Sequence, residues 1–188
     1  MERCPWCGND PLMVTYHDTE WGTPLHDEQR HFEFLLLECM QAGLSWSTIL
    51  KKRENFREAF DGFDYHKVAV YREEKILELL NNAGIIRYRL KIEAAINNAN
   101  RFMAIQKEFG SFDKYIWGFT GGKPVDNGLK TSEEMPVISD LSDEISKDLK
   151  KRGFKFVGST TIYAHLQAIG VINDHLVNCP RYEEVQKG

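Results

Sequence analysis

Cysteine and histidine residues near both ends of the chain have side chains that bind metal ions. Cys4, Cys7 and His17 lie near the amino terminus, and His175 and Cys179 lie near the other end in the segment INDHLVNCP. Residues four apart share one face of a helical turn, so His175 and Cys179 can contact the same ion. Structural zinc sites use four nitrogen or sulfur ligands in a tetrahedron. Two ligands from each end of the chain would complete such a site.

The spacing alone leaves two ligand sets open. One set combines Cys4 and Cys7 with His175 and Cys179, and the other contains His17 in place of Cys7. A C-x-x-C pair favours the first set or a redox role, and a histidine and a cysteine four apart also occur by chance without a metal. Four protein ligands leave no position for water, so the ion is expected to be structural and to join the two chain ends, where packing is weakest.

Glu38 is the only carboxylate in the apolar run from Phe34 to Met40. It is expected either to be partly exposed at a helix edge or to be desolvated beside a pocket, which is costly unless a cation or a donor compensates. The segment QAGLSW follows and would place Trp46 at the start of the next helix. A carboxylate beside aromatic rings suits a flat, polar, cationic ligand, and a nucleobase flipped from DNA fits that description.

The segment NNAGIIRYRLKIEA, residues 81–94, is typical of a hairpin between two helices. The turn is expected at Gly84. The second helix is expected to begin with three basic residues, Arg87, Arg89 and Lys91. Free backbone amides with basic side chains behind them bind phosphates without reading the base. The alternative is an ordinary helical hairpin in which Ile85 and Ile86 belong to the core.

Helices are expected to position these side chains. From about Asp27 onward, apolar residues recur at intervals of three and four, with glycine or aspartate between the segments. Strand-type alternation is nearly absent. The predicted helices span residues 28–42, 46–60, 64–70, 73–82, 87–108, 111–118, 141–151 and 159–169. The fold class is therefore predicted to be all-α, with Ser139 or Ser142 as the N-cap of the helix at 141–151.

Two stretches lack the helical period. Residues 120–139 are rich in glycine, proline and polar residues and are predicted to form a long loop, which in a compact domain is usually functional or mobile. The first 26 residues contain many aromatic and metal-binding side chains but no clear period. Something other than helical packing is therefore expected to hold them.

Length and composition predict one domain spanning residues 1–188. The chain has 188 residues, of which 42% are hydrophobic, and this is enough for one sizeable core. It has neither an apolar run of 18 residues nor a secretory signal, so a cytoplasmic protein without a membrane partner is expected.

Cysteines in a reducing compartment are more often metal ligands or buried filler than disulfides. The net charge of −4 does not exclude DNA, because local basic clusters form the binding surface. Nothing requires more than a monomer.

Several long and ordered motifs resemble the bacterial DNA-3-methyladenine glycosylase I family. The motifs are YHDTEWG at 16–22, QAGLSW at 41–46, LKKRENF at 50–56, NNAGIIRYRLKI at 81–92, KRGFKFVGSTTIYAHLQAIGVINDH at 151–175, and Cys179. The resemblance covers nearly the whole chain and is weakest across 120–138. It implies a helix-hairpin-helix glycosylase fold, with the hairpin at about 73–100. It also implies hydrolysis of the N-glycosidic bond of 3-methyladenine in alkylated double-stranded DNA, which releases the base and leaves an abasic site for base excision repair.

The resemblance also implies roles for individual residues. One structural zinc ion per chain would be bound by Cys4, His17, His175 and Cys179. The base pocket would contain Glu38, Tyr16 and Trp46, with Trp6 and Trp21 as neighbouring aromatics. Turn geometry and the resemblance together indicate that Gln41, Gly43 and Leu44 fill the gap left by the flipped base. The hairpin pattern described above adds Gly84, Arg87, Arg89 and Lys91 as expected DNA-contacting residues. Cys7 corresponds to no ligand position of the family and is expected to be a bystander.

The chemistry of the substrate indicates a modest catalytic requirement. Alkylation at a ring nitrogen leaves the adenine cationic on its sugar, so the base is already a good leaving group. The resemblance implies that this family lacks the catalytic aspartate of its wider superfamily. We expect Glu38 to accept hydrogen bonds from the base edge and to favour the charge distribution of the bond-breaking state, while Tyr16 and Trp46 stack on the ring.

Other classes fit the sequence less well. Zinc nucleobase deaminases carry H-x-E followed by P-C-x-x-C, and here the cysteines come before the histidine. The H-E-x-x-H motif of metalloproteases is absent from the sequence. The remaining alternative is a zinc-stabilised module that binds DNA or damaged bases without glycosylase activity.

Overall fold

Eleven α-helices and one two-stranded sheet form the part of the chain that the computed structural model describes, residues 2–187. The helices are α1 (Pro11–Thr19), α2 (Glu28–Gln41), α3 (Trp46–Lys51), α4 (Arg53–Ala59), α5 (Tyr65–Val68), α6 (Glu73–Asn81), α7 (Arg89–Phe109), α8 (Phe112–Gly118), α9 (Asp140–Lys151), α10 (Ser159–Ala168) and α11 (Pro180–Glu184). The strands are β1 (Val125–Asp126) and β2 (Ile172–Asn173), which pair in parallel. Short 3₁₀ turns occupy Pro5–Cys7, Asp61–Phe63 and Ser132–Glu134. The mostly helical architecture confirms the predicted all-α class.

Helix α2 lies at the centre of the core. Asp27 caps its start by accepting a hydrogen bond from the backbone N–H of Arg30 at 2.8 Å. All ten residues from His31 to Met40 are buried, as expected for a helix that is apolar on several faces. It packs against α3, α7, α8 and α10. This packing carries Glu38 into the interior, so the prediction of partial exposure at a helix edge is wrong.

The amino-terminal 26 residues contain a helix that the sequence pattern did not predict. Asp10 accepts a hydrogen bond from the N–H of Leu12, and Pro11 occupies the first helical position. Both are ordinary helix-start signals, but Leu12, Met13 and Val14 are consecutive in the helix that follows, so no helical period is visible. Tyr16 and His17 are its buried residues. The helix therefore positions Tyr16 and His17 in the interior.

Several predicted boundaries differ from the structure. The helix expected at 46–60 is two helices, α3 and α4, which meet at Lys52. The helix expected at 64–70 is the single turn α5, and the helix expected to begin at Arg87 begins at Arg89. Ser139 rather than Ser142 is the N-cap of α9, and Ser142 completes a reciprocal capping box.

The long segment at 120–139 is fixed at three places. Its strand β1 pairs with β2, and the N–H of Val125 donates to the carbonyl oxygen of Val171 at 2.8 Å. Thr131 and Glu134 form a capping box around the 3₁₀ turn. The N–H of Val177 donates to the carbonyl oxygen of Leu129 at 2.8 Å. These bonds hold the segment against the C-terminal stretch that contains His175.

Buried side chains from Cys4 to Cys179 belong to one hydrophobic cluster. In residues 2–187, no helix is both long and apolar enough to cross a membrane.

Candidate active site and metal centre

A cavity of about 200 Å³ opens between the amino-terminal segment, α2, α3 and α10. Its lining residues are Trp6, Tyr16, Trp21, Glu38, Gln41, Trp46, Met135, Ala164 and Gln167. Cavities for drug-sized ligands begin at about 300 Å³. This smaller volume suits one flat ring system. The cavity brings together all five residues that the sequence predicted for a base pocket.

Four aromatic residues line the cavity. The ring centroids of Tyr16 and Trp46 are 5.3 Å apart, and those of Trp6 and Trp21 are 4.8 Å apart in an edge-on arrangement. The indole N–H groups of Trp6 and Trp46 are buried and have no hydrogen-bond partner among residues 2–187. The rings, rather than these N–H groups, therefore form the accessible wall of the cavity.

Glu38 contributes the ionisable group of the cavity. Its side chain is 3% exposed, and it makes no hydrogen bond or ion pair with other residues in the 2–187 range. Burial raises the pKa of Glu38 to about 8, because desolvation disfavours the charged form. The pKa of Tyr16 is also raised, by burial and by the neighbouring Glu38. A cationic ligand would supply the compensating charge that the protein leaves out.

Four metal-binding side chains meet beside the cavity. Cys4, His17, His175 and Cys179 are all buried, and their donor atoms lie within 4.8 Å of one another. Cys4 Sγ is 3.7 Å from His175 Nδ1, while Cys179 Sγ is 3.6 Å from His17 Nε2 and 3.8 Å from His175 Nδ1. Zinc bonds of about 2.3 Å to sulfur and 2.0 Å to nitrogen put tetrahedral ligand atoms roughly 3.5 Å apart. This donor set therefore fits zinc.

In His17 and His175, one ring nitrogen donates a hydrogen bond, so the other ring nitrogen is free to bind a metal. His17 Nδ1 donates to Asp18 Oδ1 at 2.8 Å, and His175 Nε2 donates to the carbonyl oxygen of Trp21 at 2.9 Å. The lone pairs are then on His17 Nε2 and His175 Nδ1, the two atoms that face the thiols. Arg3 also binds Asp18 and lowers the pKa of that carboxyl to about 2. Burial lowers the pKa of His175 to about 4, which keeps its ring neutral.

Cys7 lies outside this cluster. Its thiol donates to the carbonyl oxygen of Cys4 at 3.1 Å. The geometry therefore selects the set with His17 over the C-x-x-C set. The expected helical turn that joins His175 to Cys179 is wrong, however: the segment leaves β2, forms a turn closed by the N–H of Cys179 and the carbonyl oxygen of Leu176 at 2.8 Å, and enters α11.

The cluster and the cavity share a wall. His17 follows Tyr16 on α1, and its ring lies 5.5 Å from that of Trp6. The Trp21 ring packs edge-on against His175, with centroids 4.6 Å apart. Gly22 allows this approach, because a Cβ there would lie 2.9 Å from the His175 ring. Anything that fixes the four ligands therefore also fixes Tyr16, Trp6 and Trp21.

Comparisons with known proteins agree with this site. The family model for methyladenine glycosylases matches residues 6–182. DNA-3-methyladenine glycosylase 1 of Escherichia coli (strain K12) is 48% identical over 182 residues, which cover 97% of each chain. The chain therefore belongs to the methyladenine glycosylase family.

Solved structures extend this result to the fold. A crystal structure of a 3-methyladenine DNA glycosylase I has a TM-score of 0.92 and 46% identity, and the match covers 95% of this chain and 98% of that chain. A tyrosine-to-phenylalanine variant of such a glycosylase, in complex with 3-methyladenine, has a TM-score of 0.93 and 39% identity over 96% and 97% of the two chains. The methyladenine glycosylase fold is thus shared along nearly the whole chain.

In this methyladenine glycosylase, the turn after α2 lies at the cavity. Gln41 Nε2 donates to the carbonyl oxygen of Leu44 at 2.6 Å, and the N–H of Leu44 donates back to the carbonyl oxygen of Gln41 at 2.6 Å. Gly43 has a φ of +78°, which favours glycine. Leu44 is 39% exposed at the tip of the turn. The hydrogen-bonded turn therefore presents Leu44 as an exposed apolar side chain.

The structure changes the interpretation of the basic hairpin. Lys91 is only 6% exposed, and its Nζ donates to the carbonyl oxygens of Met40 and Ala42 at 2.8 and 2.7 Å. It therefore stabilises the carboxyl end of α2, and the prediction that it contacts DNA phosphates is corrected. Arg89 forms ion pairs with Glu73 and Glu93. Arg87 is exposed and makes no ion pair within residues 2–187.

The turn of the hairpin is held by residues from α3 and α4. The side chains of Lys52 and Asn55 each donate to the carbonyl oxygen of Gly84 at 3.2 Å, and the N–H of Gly84 donates to Asn82 Oδ1 at 2.8 Å. Ile85 is buried and Ile86 packs partly against the core. Ile85 and Ile86 therefore pack against the core, and Arg87 lies on the exposed side of the hairpin.

Three cavity residues were not predicted from the sequence: Met135, Ala164 and Gln167. Met135 comes from the long segment at 120–139, whose fold depends on pairing with a distant strand. Ala164 and Gln167 are spaced three apart on α10, within one of the motifs that resemble the family. This spacing places both residues on one face of α10, which is the sequence signal that could have identified them.

Proposed function

We propose that this protein hydrolyses the N-glycosidic bond of 3-methyladenine in alkylated double-stranded DNA, releases the free base and leaves an abasic site for base excision repair. One observation carries the proposal. Glu38 is a buried carboxyl group that has no cationic partner among residues 2–187, inside an aromatic cavity that fits one base. The E. coli relative is named for this base, and the structural neighbour described above contains it.

The positive charge of the substrate explains the arrangement of the cavity. Methylation at N3 leaves the base cationic while it is bound to the sugar, whereas ordinary adenine is neutral. A cation beside Glu38 favours the ionised carboxylate and lowers the pKa that burial had raised. Tyr16 and Trp46 supply ring faces on which the base can stack. The cavity therefore distinguishes a cationic purine from a neutral one by charge as well as by shape.

Bond cleavage needs little acid catalysis in this proposal. The electrons of the breaking glycosidic bond neutralise the charge on the departing base, and water adds to the sugar carbon and releases one proton to the solvent. Glu38 holds the cationic base by its charge before the bond breaks, and its carboxylate accepts hydrogen bonds from the base edge. No other group in the cavity is required to donate a proton to the leaving base.

The duplex is proposed to bind at the turn after α2 and at the hairpin between α6 and α7. Leu44, supported by Gln41 and Gly43, would fill the gap that the flipped base leaves. Arg87 would contact a phosphate near the Gly84 turn. Because one chain supplies the cavity, the turn and the hairpin, the proposed active form is a monomer. A DNA substrate would place the activity in the cytoplasm of a bacterial cell.

One zinc ion is proposed to be bound by Cys4, His17, His175 and Cys179. Four protein ligands leave no open position for water, so the ion would be structural. It would join the amino-terminal segment to the stretch after β2. In this role the ion supplies rigidity to the wall that contains Tyr16, Trp6 and Trp21.

Incubation of the protein with methylated duplex DNA tests the proposal. Chromatography of the supernatant should detect free 3-methyladenine, and alkaline cleavage should detect an equal number of abasic sites. The Glu38→Gln variant should release the base much more slowly while its zinc content stays the same. A protein that shifts methylated DNA in a gel but releases no base would instead be a binding module, and the enzymatic proposal would be rejected.

A further inference from the structure

Gln167 is a polar residue of the cavity that has no assigned role. It lies in the last turn of α10, is 8% exposed and lines the cavity. Its Nε2 donates to Asp174 Oδ2 at 2.7 Å. The amide NH₂ group therefore faces Asp174, and the amide oxygen, Oε1, faces away from it. Among residues 2–187, no group donates a hydrogen bond to this oxygen.

Asp174 fixes that orientation. Its side chain is completely buried, and it accepts two further hydrogen bonds, from Tyr163 Oη at 2.7 Å and from Asn127 Nδ2 at 2.6 Å. Both carboxylate oxygens are thus used as acceptors. A reversed amide would place Gln167 Oε1 against a carboxylate oxygen, which is repulsive because neither atom carries a proton. The free oxygen of Gln167 is therefore held away from Asp174 by a rigid network.

The residues that line the cavity carry several hydrogen-bond acceptors. They are the carboxylate of Glu38, the amide oxygens of Gln41 and Gln167, and the Tyr16 hydroxyl. Among the amide oxygens, that of Gln167 is the one whose orientation Asp174 fixes. On a 3-methyladenine that is still attached to its sugar, the exocyclic amino group carries the only N–H donors, and it carries two of them. Glu38 and Gln167 can therefore each accept one of these two hydrogens.

We propose that Gln167, oriented by Asp174, is a specificity-determining residue that accepts a hydrogen bond from the exocyclic amino group of the base. A 3-methylguanine carries a ring carbonyl where adenine carries this amino group. That carbonyl would meet the oxygen of Gln167 without a proton between them, which leaves two acceptors unpaired. Gln167 thus selects adenine over guanine, while Glu38 selects the cationic base over the neutral one. This inference rests on the base excision proposed above.

The test replaces Gln167 by methionine, which keeps the side-chain length and removes the amide. Asp174 keeps its bonds to Tyr163 and Asn127 in this variant, so the network is preserved. The substrate is duplex DNA treated with dimethyl sulfate, and the released bases are separated by chromatography. Gln167→Met should lower kcat/KM for 3-methyladenine release about 10-fold and lower the ratio of 3-methyladenine to 3-methylguanine released. Gln186→Met is the matched control, because Gln186 Nε2 also donates to an aspartate, Asp126, but on the surface.

A second variant, Asp174→Asn, tests the orienting role. An asparagine can either donate or accept, so Gln167 would no longer be held in one orientation. The ratio of the two released bases should fall as it does in Gln167→Met, and the double variant should show no further fall. A purely structural role for Asp174 would instead lower the rate for both bases and leave the ratio unchanged. Zinc content is measured in parallel because Asp174 precedes His175.

Each outcome has one meaning. An unchanged rate and ratio in Gln167→Met would overturn the inference while leaving the proposed function intact. If Gln167→Met failed to fold, Asp174→Asn would decide, and an unchanged ratio in that variant would overturn the inference. A parent protein that released no 3-methyladenine would refute the proposed function itself.

Discussion

His175 lies edge-on against Trp21, and its ring nitrogen Nε2 donates to the carbonyl oxygen of the same residue at 2.9 Å. One residue therefore belongs to the cavity wall while it orients a ligand of the metal cluster. His17 and Tyr16 repeat this relationship on α1, where a ligand and a pocket residue are neighbours in the chain. The four metal-binding side chains thus help to position the cavity residues Trp21 and Tyr16. Substitution of these side chains should therefore disturb the cavity wall.

Replacement of Cys179 by serine should remove the metal and lower stability. A serine hydroxyl is a poor zinc ligand, and the remaining three donors would close the site less tightly. We expect zinc content, measured by mass spectrometry of the purified protein, to fall from one per chain toward zero, and the melting temperature to fall with it. Base release should decrease at temperatures where the variant is partly unfolded.

Cys7→Ser is the control for that experiment. The Cys7 thiol bonds to backbone carbonyl oxygens, and the residue is not one of the four ligands. Zinc content should therefore stay at one per chain. Cys179 belongs to both candidate ligand sets, so loss of zinc from Cys7→Ser as well as from Cys179→Ser would restore the C-x-x-C set.

Gly22→Ala should destabilise the cluster through a steric contact. Gly22 has a φ of +74°, and a Cβ there would lie 2.9 Å from the His175 ring. The left-handed backbone alone costs about 1–2 kcal/mol for a residue with a side chain. Gly121→Ala measures that cost by itself, because Gly121 has a φ of +63° with no atom within 4 Å of its added Cβ. Chemical denaturation and zinc analysis should show a larger loss in Gly22→Ala, with reduced metal content. Equal losses would mean that the His175 ring moves freely.

The sequence predicted which residues form the site better than it predicted the backbone structure that positions them. Donor chemistry identified His175 and Cys179, yet the helical turn expected to join them is a strand exit and a turn. The i, i+4 spacing is compatible with both. Helical periodicity identified α2 because it is long and buried, and missed α1 because its apolar residues Leu12, Met13 and Val14 are consecutive rather than three and four apart.

Contacts between distant segments explain what the sequence did not reveal. Lys91 was predicted to face DNA because basic residues surround it in the chain, but its partners are carbonyl oxygens 51 and 49 positions away. Met135 reaches the cavity only because its segment is paired with β2. The residues around Lys91 and Met135 in the chain do not indicate these distant contacts. Only the folded structure reveals them.

Arg87 and Lys91 in the hairpin should respond differently to substitution. Arg87→Ala should weaken binding to duplex DNA of any sequence and lower the slope of log K against log salt by about 1, because one phosphate contact is lost. Lys91→Met should lower the free energy of unfolding by about 1–3 kcal/mol, because the carbonyl oxygens of Met40 and Ala42 lose a charged donor. Fluorescence anisotropy over a range of salt concentrations and urea denaturation measure the two effects. A reduced salt slope in Lys91→Met at full stability would return Lys91 to the DNA-binding surface.

The stability of the protein should depend on pH through Glu38. In the unfolded chain this carboxyl titrates near its ordinary pKa of 4.5, and burial raises the pKa in the folded protein to about 8. Between these values the folded state binds more protons than the unfolded state, so stability falls as pH rises through that window. Glu38→Gln has no such proton to lose. Its advantage over the parent should therefore be absent below about pH 4.5, grow as pH rises, and level off above about pH 8 at several kcal/mol.

Urea unfolding of the parent and of Glu38→Gln at a series of pH values measures this difference directly. Other titrating groups are common to both proteins, so they cancel in the comparison. Glu54→Gln provides a control, because Glu54 is a surface carboxylate whose pairing with Arg57 is solvent-exposed. Its stability should follow the pH dependence of the parent. Parallel curves for the parent and Glu38→Gln would show that Glu38 is ionised in the free protein and is stabilised by water or by a shift of the cavity wall.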